Sequence, residues 1–285
     1  MTTIRTAQPP KPGPRPAPQR RALPVRSNKL QKGGRSVLYI GANATGKTLR
    51  SLSWPGVVLL QFDPEQQRAS SLDEEIPVVD IPSWDLCEQL IAPSLKSRQR
   101  FQEMIQEQGF PDYEIKTLVV DSYTGLDEMC ETTMRARYSK KFDMFDEKRL
   151  ALREFQQTLG DLTRPRLNEL PPWNLIGCVH ERVDTVSIKD SDGTFKEVTD
   201  GIRASISGQF GKRFFSYWGV VLWCMIDVPT TQTGEIIRGK KPTYYCRTDP
   251  IDQWRKGVDR AGKLPSRVAG DYADLMSYWE PSDGE

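Results

Sequence analysis

The run Val37-Leu38-Tyr39-Ile40 leading into Gly41-Ala42-Asn43-Ala44-Thr45-Gly46-Lys47-Thr48 constrains this chain more than any other stretch. Four consecutive apolar residues ending in glycine read as a strand buried on both faces. Gly41–Thr48 then fits G-x-x-x-x-G-K-[ST] at every fixed position. A helix is expected from about Lys47 to a stop before Pro55. Strand, glycine loop and helix in that order let backbone N–H groups converge on phosphate oxygens. The expected nucleotide-binding residues are therefore Gly41, Ala42, Asn43, Ala44, Thr45, Gly46, Lys47 and Thr48. The Lys47 ammonium neutralises the outer phosphates, and the Thr48 hydroxyl suits Mg²⁺.

The rest of the chain alternates strands and helices. Buried strands are expected at Val57–Phe62, Val78–Ile81, Thr117–Asp121, Asn174–His180 and Val220–Ile226. Helices are expected near Leu95–Gln108, Gly125–Tyr138 and Asp146–Leu162, with Ser83 capping another. This alternation predicts an α/β fold, with a mostly parallel sheet flanked by helices. Val183–Ile188 and Thr194–Val198 flank a Ser-Asp-Gly turn and read as a hairpin. With Ile236–Cys246 beside Val220–Ile226, it suggests antiparallel additions at one edge.

Hydrolysis at such a loop needs a metal-holding acid, a water-activating group and something that reads the terminal phosphate. Strand ends offer all three. Asp121 closes Leu118-Val119-Val120 and is the expected second metal ligand beside Thr48. Glu65, in Phe62-Asp63-Pro64-Glu65, is the expected general base, with Asp63 as the alternative. His180 ends the strand Leu175–Val179, where ligands of open α/β sheets sit. It is the expected γ-phosphate sensor, and Lys47, Glu65 and His180 form the catalytic set.

In order, GANATGKT, a strand ending FDPE, TLVVDS and PPWNLIGCVHE resemble the RecA-like P-loop NTPase core. The likeness is to the short phage-encoded members associated with recombination and single-strand annealing. It spans roughly residues 35–268. It implies an ATP- and Mg²⁺-dependent ATPase, with Glu65 activating water and His180 sensing the γ-phosphate. It also implies contact with single-stranded DNA through the segment after His180, with Arg182, Arg203, Lys212 and Arg213 as the basic candidates. Val258–Pro265 resembles a late basic motif, so Arg260 and Lys263 are candidates to complete a neighbouring subunit's site in a homo-oligomer. Recombination or replication proteins are the further partners implied, and the host cytoplasm the implied location.

Charge divides the chain. Residues 1–35 hold nine basic residues, seven prolines and no acid. The remaining 250 residues hold 31 basic against 38 acidic, a net of −7. The composition of 1–35 predicts a disordered arm, either a solubilising tail or a tether to phosphates or an acidic partner. Residues 36–270 are expected to form the ATPase domain, with 271–285 as a tail. No apolar run approaches the ~20 residues of a membrane span, and no secretory signal opens the chain. Five scattered cysteines without CxxC point to a reducing compartment, and the lone histidine excludes a multi-histidine metal centre.

Two other classes compete. A nucleotide-switched assembly or remodelling protein would use the same loop to control binding to a protein partner. A small-molecule kinase would add an arginine lid, for which Arg98-Gln99-Arg100 or Arg135-Ala136-Arg137 are the candidates.

Overall fold

A computed structural model of the chain describes residues 33–62, 75–166, 169–189, 194–231, 233, 236–237, 239–253 and 255–280. The basic arm through residue 32 lies outside these, as do Asp63 and Glu65. The strands are β1 (Ser36–Gly41), β2 (Val57–Gln61), β3 (Val78–Asp80), β4 (Thr117–Asp121), β5 (Asn174–Lys189), β6 (Phe195–Ala204), β7 (Val220–Asp227), β8 (Thr243–Arg247), β9 (Val258–Asp259) and β10 (Arg267–Val268). The helices are α1 (Lys47–Leu52), α2 (Trp84–Leu86), α3 (Ala92–Ser94), α4 (Arg98–Glu107), α5 (Tyr123–Arg137), α6 (Lys141–Leu162), α7 (Gly208–Phe214) and α8 (Tyr272–Trp279). A π-helical turn (Cys87–Ile91) joins α2 to α3.

Among the described residues the strands form one mixed sheet, in the order β10-β8-β7-β1-β5-β4-β2-β3. The run from β7 to β3 is parallel throughout. Antiparallel strands lie beyond it: β8 and β9 on β7, and β10 on β8. The expected α/β class is present and β8 gives the expected antiparallel edge, but the hairpin extends from the central strand β5 rather than from an edge.

Period-two alternation builds two cores, one on each face. Leu38, Ile40, Val58, Leu60, Leu118, Val120, Leu175 and Val179 point to the face packed with Trp84, Phe101, Leu126, Phe155 and Phe214. Val37, Tyr39, Val57, Leu59, Val119, Ile176 and Leu222 point to the face packed with Trp54, Leu275 and Trp279. The last two belong to α8, so residues 272–279, read from sequence as tail, pack on the sheet. A strand with large apolar residues in both cores cannot slip register by one without exchanging them.

Three expectations change. The strand through His180 and the first arm of the hairpin are one continuous strand, β5, paired with β6 from Glu181↔Ala204 to Lys189↔Phe195. The small residues Ser205–Gly211, whose sequence predicts a flexible stretch, are partly helical. They open α7, which buries Phe214 against Tyr123 and Trp218 and Phe210 against Phe214. The strand expected over Ile236–Cys246 is confined to Thr243–Arg247.

The entry to α7 is fixed by a buried ion cluster. Lys148 on α6 lies 3.0 Å from Asp127 Oδ1 and 2.7 Å from Glu131 Oε2, both on α5. Its Nζ also donates to Ser207 Oγ at 2.6 Å, and the Ser207 N–H and hydroxyl donate to Asp127 Oδ2. Hydrogen bonds from Lys148 and then Arg135 lower the Glu131 carboxyl from its ordinary 4.5 to about 2. A carboxyl depressed on folding stabilises the fold above its unfolded value and loses that contribution as pH falls through the folded one. The Glu131 contribution is therefore expected to fade between about pH 4.5 and 2. Glu131→Gln should flatten this acid limb in urea melts taken across that range; an unchanged limb would refute the assignment.

Candidate functional site

The loop after β1 takes a conformation that its residue types permit. Ala44 and Gly46 are both left-handed, with φ of 61° and 79°. Glycine at 46 carries no strain there, and a β-carbon on it would lie 2.6 Å from Arg50 Nη1. A β-carbon on Gly41 would lie 2.6 Å from the Cys224 carbonyl oxygen on β7. Sheet packing therefore fixes the first glycine, and loop conformation together with Arg50 fixes the second.

Lys47 is buried, and its Nζ donates to the Gly41 and Ala42 carbonyls at 2.9 and 2.7 Å. The ammonium thus sits inside the curl of the loop. Behind the loop, Arg50 Nη1 donates to the Thr45 carbonyl at 2.9 Å and Nε to the Ala269 carbonyl at 2.6 Å. Tyr39 on β1 donates its hydroxyl to the Gly270 carbonyl at 2.7 Å. The 269–270 turn braces the loop from outside the motif.

Sheet register brings the other groups to the same edge. Gly41 is level with His180 across β1 and β5, and Asp121 is level with Cys178 across β4 and β5. The Thr48 hydroxyl donates to Asp121 Oδ2 at 2.6 Å, spanning β5 to join α1 to the end of β4. Asp121 is 3% exposed, so this short charge-assisted bond is shielded from water. The pair supplies two hard oxygens, which suits Mg²⁺ completed by phosphate and water. Among the described residues no group of three or more His, Cys, Asp or Glu side chains is arranged to hold a metal alone.

Ser122 follows Asp121 and caps α5 by accepting from the Gly125 N–H at 3.1 Å. The Thr124 hydroxyl accepts from the His180 N–H at 3.1 Å, fixing the end of the sheet portion of β5. A cleft of about 640 Å³ opens here, bordered by Asn43, Thr124, Glu128, Thr132, His180 and Glu181. Thr124, Glu128 and Thr132 recur every four residues, one polar stripe on α5. That spacing was visible in sequence, yet neither Glu128 nor Thr124 was singled out there. Arg50 had no such signal, because its partners are distant carbonyls.

The remaining candidates fall elsewhere. Glu65 and Asp63 lie outside the described residues. On the hairpin, Arg182 Nε donates to Asp184 Oδ1 at 2.8 Å, and Arg203 also pairs with Asp184. Arg213 is exposed on α7, whereas only the backbone of Lys212 is described. Arg260 donates to the Trp218 carbonyl at 2.9 Å and Lys263 to the Trp279 carbonyl at 3.2 Å. β9 pairs with the start of β7, which lies beside the start of β1. Arg260 therefore sits at the end of the sheet opposite the phosphate loop and cannot serve its own site.

The five cysteines are free and buried. Burial pushes the Cys130 thiol up to about 12 and raises Cys87, Cys178 and Cys224 as well, so these four offer no thiolate at neutral pH. Among the described residues, no helix is long and apolar enough to cross a membrane.

Compared with known proteins, the chain matches no family model and no curated protein.

The packing of Gly41 gives a direct test. Gly41→Ala must displace the Cys224 backbone and should destabilise the fold by about 1–3 kcal/mol. Chemical denaturation measures it, and wild-type stability would contradict the close approach.

Proposed function

We propose that the chain is a RecA-like P-loop NTPase that binds ATP with Mg²⁺, hydrolyses it, and couples turnover to single-stranded DNA in phage recombination, repair or replication. The observation that carries the reading is the convergence of Lys47, the Thr48–Asp121 pair and His180 at the carboxyl end of three neighbouring parallel strands. β5 separates the phosphate-loop strand from the Asp121 strand, so His180, where β5 leaves its parallel pairing, stands between phosphate and metal acid.

In this account the loop N–H groups bind the outer phosphates, and Lys47 exchanges its carbonyl partners for phosphate oxygens. Thr48 and Asp121 hold Mg²⁺, which supplies charge neutralisation at those phosphates. Glu65 takes the proton of the attacking water, from a segment that follows β2 in sequence. His180 hydrogen-bonds the terminal phosphate group. Its loss is passed along β5 into the hairpin, which begins at the next residue.

The kinase alternative gains no support from its arginine candidates. Arg98 is buried and donates to the Leu162, Arg164 and Leu170 carbonyls. Arg135 pairs with Glu131, and Arg137 with Asp85 and Glu88. The remodelling alternative does gain one observation. Arg182 and Arg203 share Asp184, while Val183, Val186, Ile188 and Phe195 are exposed on the same hairpin. Such a surface suits a protein partner as well as a nucleic acid.

ATP turnover with and without single-stranded DNA, at two salt concentrations, separates these readings. The ATPase reading predicts stimulation by DNA that weakens with salt, and its loss in Lys47→Ala. Removing residues 1–32 should reduce low-salt DNA affinity. Turnover indifferent to DNA, with no DNA bound at low salt, favours the remodelling protein. Glu65→Gln should retain ATP binding and slow hydrolysis by ~10²–10⁴-fold. Equal rates would move the base to Asp63.

A further inference from the structure

Behind the phosphate loop lies a pair of thiols that the proposed function does not use. Cys224 on β7 and Cys246 on β8 are directly opposite in the antiparallel register. Both are buried, and their sulfurs are 3.4 Å apart. Residues that face each other on antiparallel strands have Cα atoms about 4.5–5.5 Å apart, within the span a disulfide bridges.

The pair is wedged between the two segments that shape the loop. A β-carbon on Gly41, the first loop residue, would lie 2.6 Å from the Cys224 carbonyl oxygen and 3.3 Å from Cys224 Cβ. A β-carbon on Gly270 would lie 2.7 Å from Cys246 Sγ. The Gly270 carbonyl accepts from Tyr39, and the Ala269 carbonyl beside it accepts from Arg50. Cys224 therefore backs the loop and Cys246 backs its brace, each at a distance that a side chain in place of glycine would not permit.

A bond between the sulfurs would draw them from 3.4 Å to about 2 Å. Close packing passes such a movement on to Gly41 and Gly270. Charge acts in the same direction. Burial and Cys246 push the Cys224 thiol up, whereas Arg50 and Lys47 pull it down. Phosphates bound at Lys47 would cancel part of that pull and so disfavour the thiolate that oxidation needs. An occupied loop and an oxidised pair thus oppose each other.

We propose that Cys224 and Cys246 are an oxidation site, forming a reversible disulfide that lowers the affinity of the phosphate loop for its nucleotide. Burial of both thiols requires a small oxidant, and hydrogen peroxide is of that class. Peroxide transfers one oxygen to the first thiol, giving a sulfenic acid and one water. The second thiol then attacks that sulfur. The S–S bond forms as the S–O bond breaks, and the departing hydroxide takes the thiol proton as a second water. One peroxide and two thiols give one disulfide and two waters, and a dithiol reductant restores both thiols. The effect on affinity rests on the nucleotide reading above, whereas the bond itself does not.

The test treats the purified full chain with hydrogen peroxide and divides it between two measurements. One is peptide mapping by mass spectrometry without reduction, and the other is calorimetric binding of ATP with Mg²⁺. A linked Cys224–Cys246 peptide pair is expected, with ATP affinity lower by about fivefold or more, the range of coupling between linked sites. Dithiothreitol should reverse both. Cys246→Ser should bind ATP as the reduced wild type does and keep that affinity through peroxide; Cys224→Ser serves the same comparison where Cys246→Ser does not fold. The absence of the linked pair in the wild type overturns the inference, and that result needs no variant. A linked pair with unchanged ATP affinity also overturns it, as does an equal loss of affinity in the treated serine variant. A wild type that forms the bond yet binds no ATP when reduced removes the nucleotide reading and the proposed control with it, leaving only the disulfide.

Discussion

The hydrogen bond from Thr48 to Asp121 joins the start of α1 to the end of a strand two places away in the sheet. It forms only if β1, β5 and β4 run parallel and end level. That alignment is enforced by burial on both faces: each of the three strands sends alternate side chains into two different cores. The same alignment sets His180 beside Gly41. The candidate chemistry is therefore a consequence of strand register, and a one-residue slip that separated Thr48 from Asp121 would also exchange residues between the two cores.

Two braces hold the surroundings of that bond. Arg50 and Tyr39 tie the loop and its strand to the 269–270 turn, so a segment more than 200 residues away in sequence shapes the phosphate loop. On the other side, the Lys148 cluster links α5, which begins just after Asp121, to Ser207 at the end of the hairpin segment. Breaking a buried pair by removing one partner costs about 3–5 kcal/mol, because an uncompensated charge remains. The cluster thus makes α5 and the hairpin's exit one mechanical unit.

Much of this was legible in sequence, and for definite reasons. Strands such as Val57–Gln61 and Thr117–Asp121 are short unbroken apolar runs, which a parallel sheet covered on both faces requires. The loop Gly41–Gly46 between β1 and α1 was legible because its conformation needs particular residues at fixed spacing. The run-through of β5 into the hairpin was not, because Glu181-Arg182 looks like a strand terminus when the partner strand is unknown. α7 was missed because glycine and serine dominate its start, and aromatic packing on Tyr123 and Trp218 outweighs their poor helix propensity. The pairing of Arg182 and Arg203 with one aspartate was invisible because it depends on cross-strand register. Arg50 braces the loop through contacts with distant carbonyls, so no local pattern marked it.

The account stands or falls on the Thr48–Asp121 pair as the seat of the metal–phosphate complex. The direct measurement is equilibrium binding of a non-hydrolysable ATP analogue, with and without Mg²⁺, to the wild type and to Asp121→Asn. The account predicts that Mg²⁺ tightens binding to the wild type and that Asp121→Asn loses this gain while keeping its metal-free affinity. An equal Mg²⁺ effect in both proteins would contradict it.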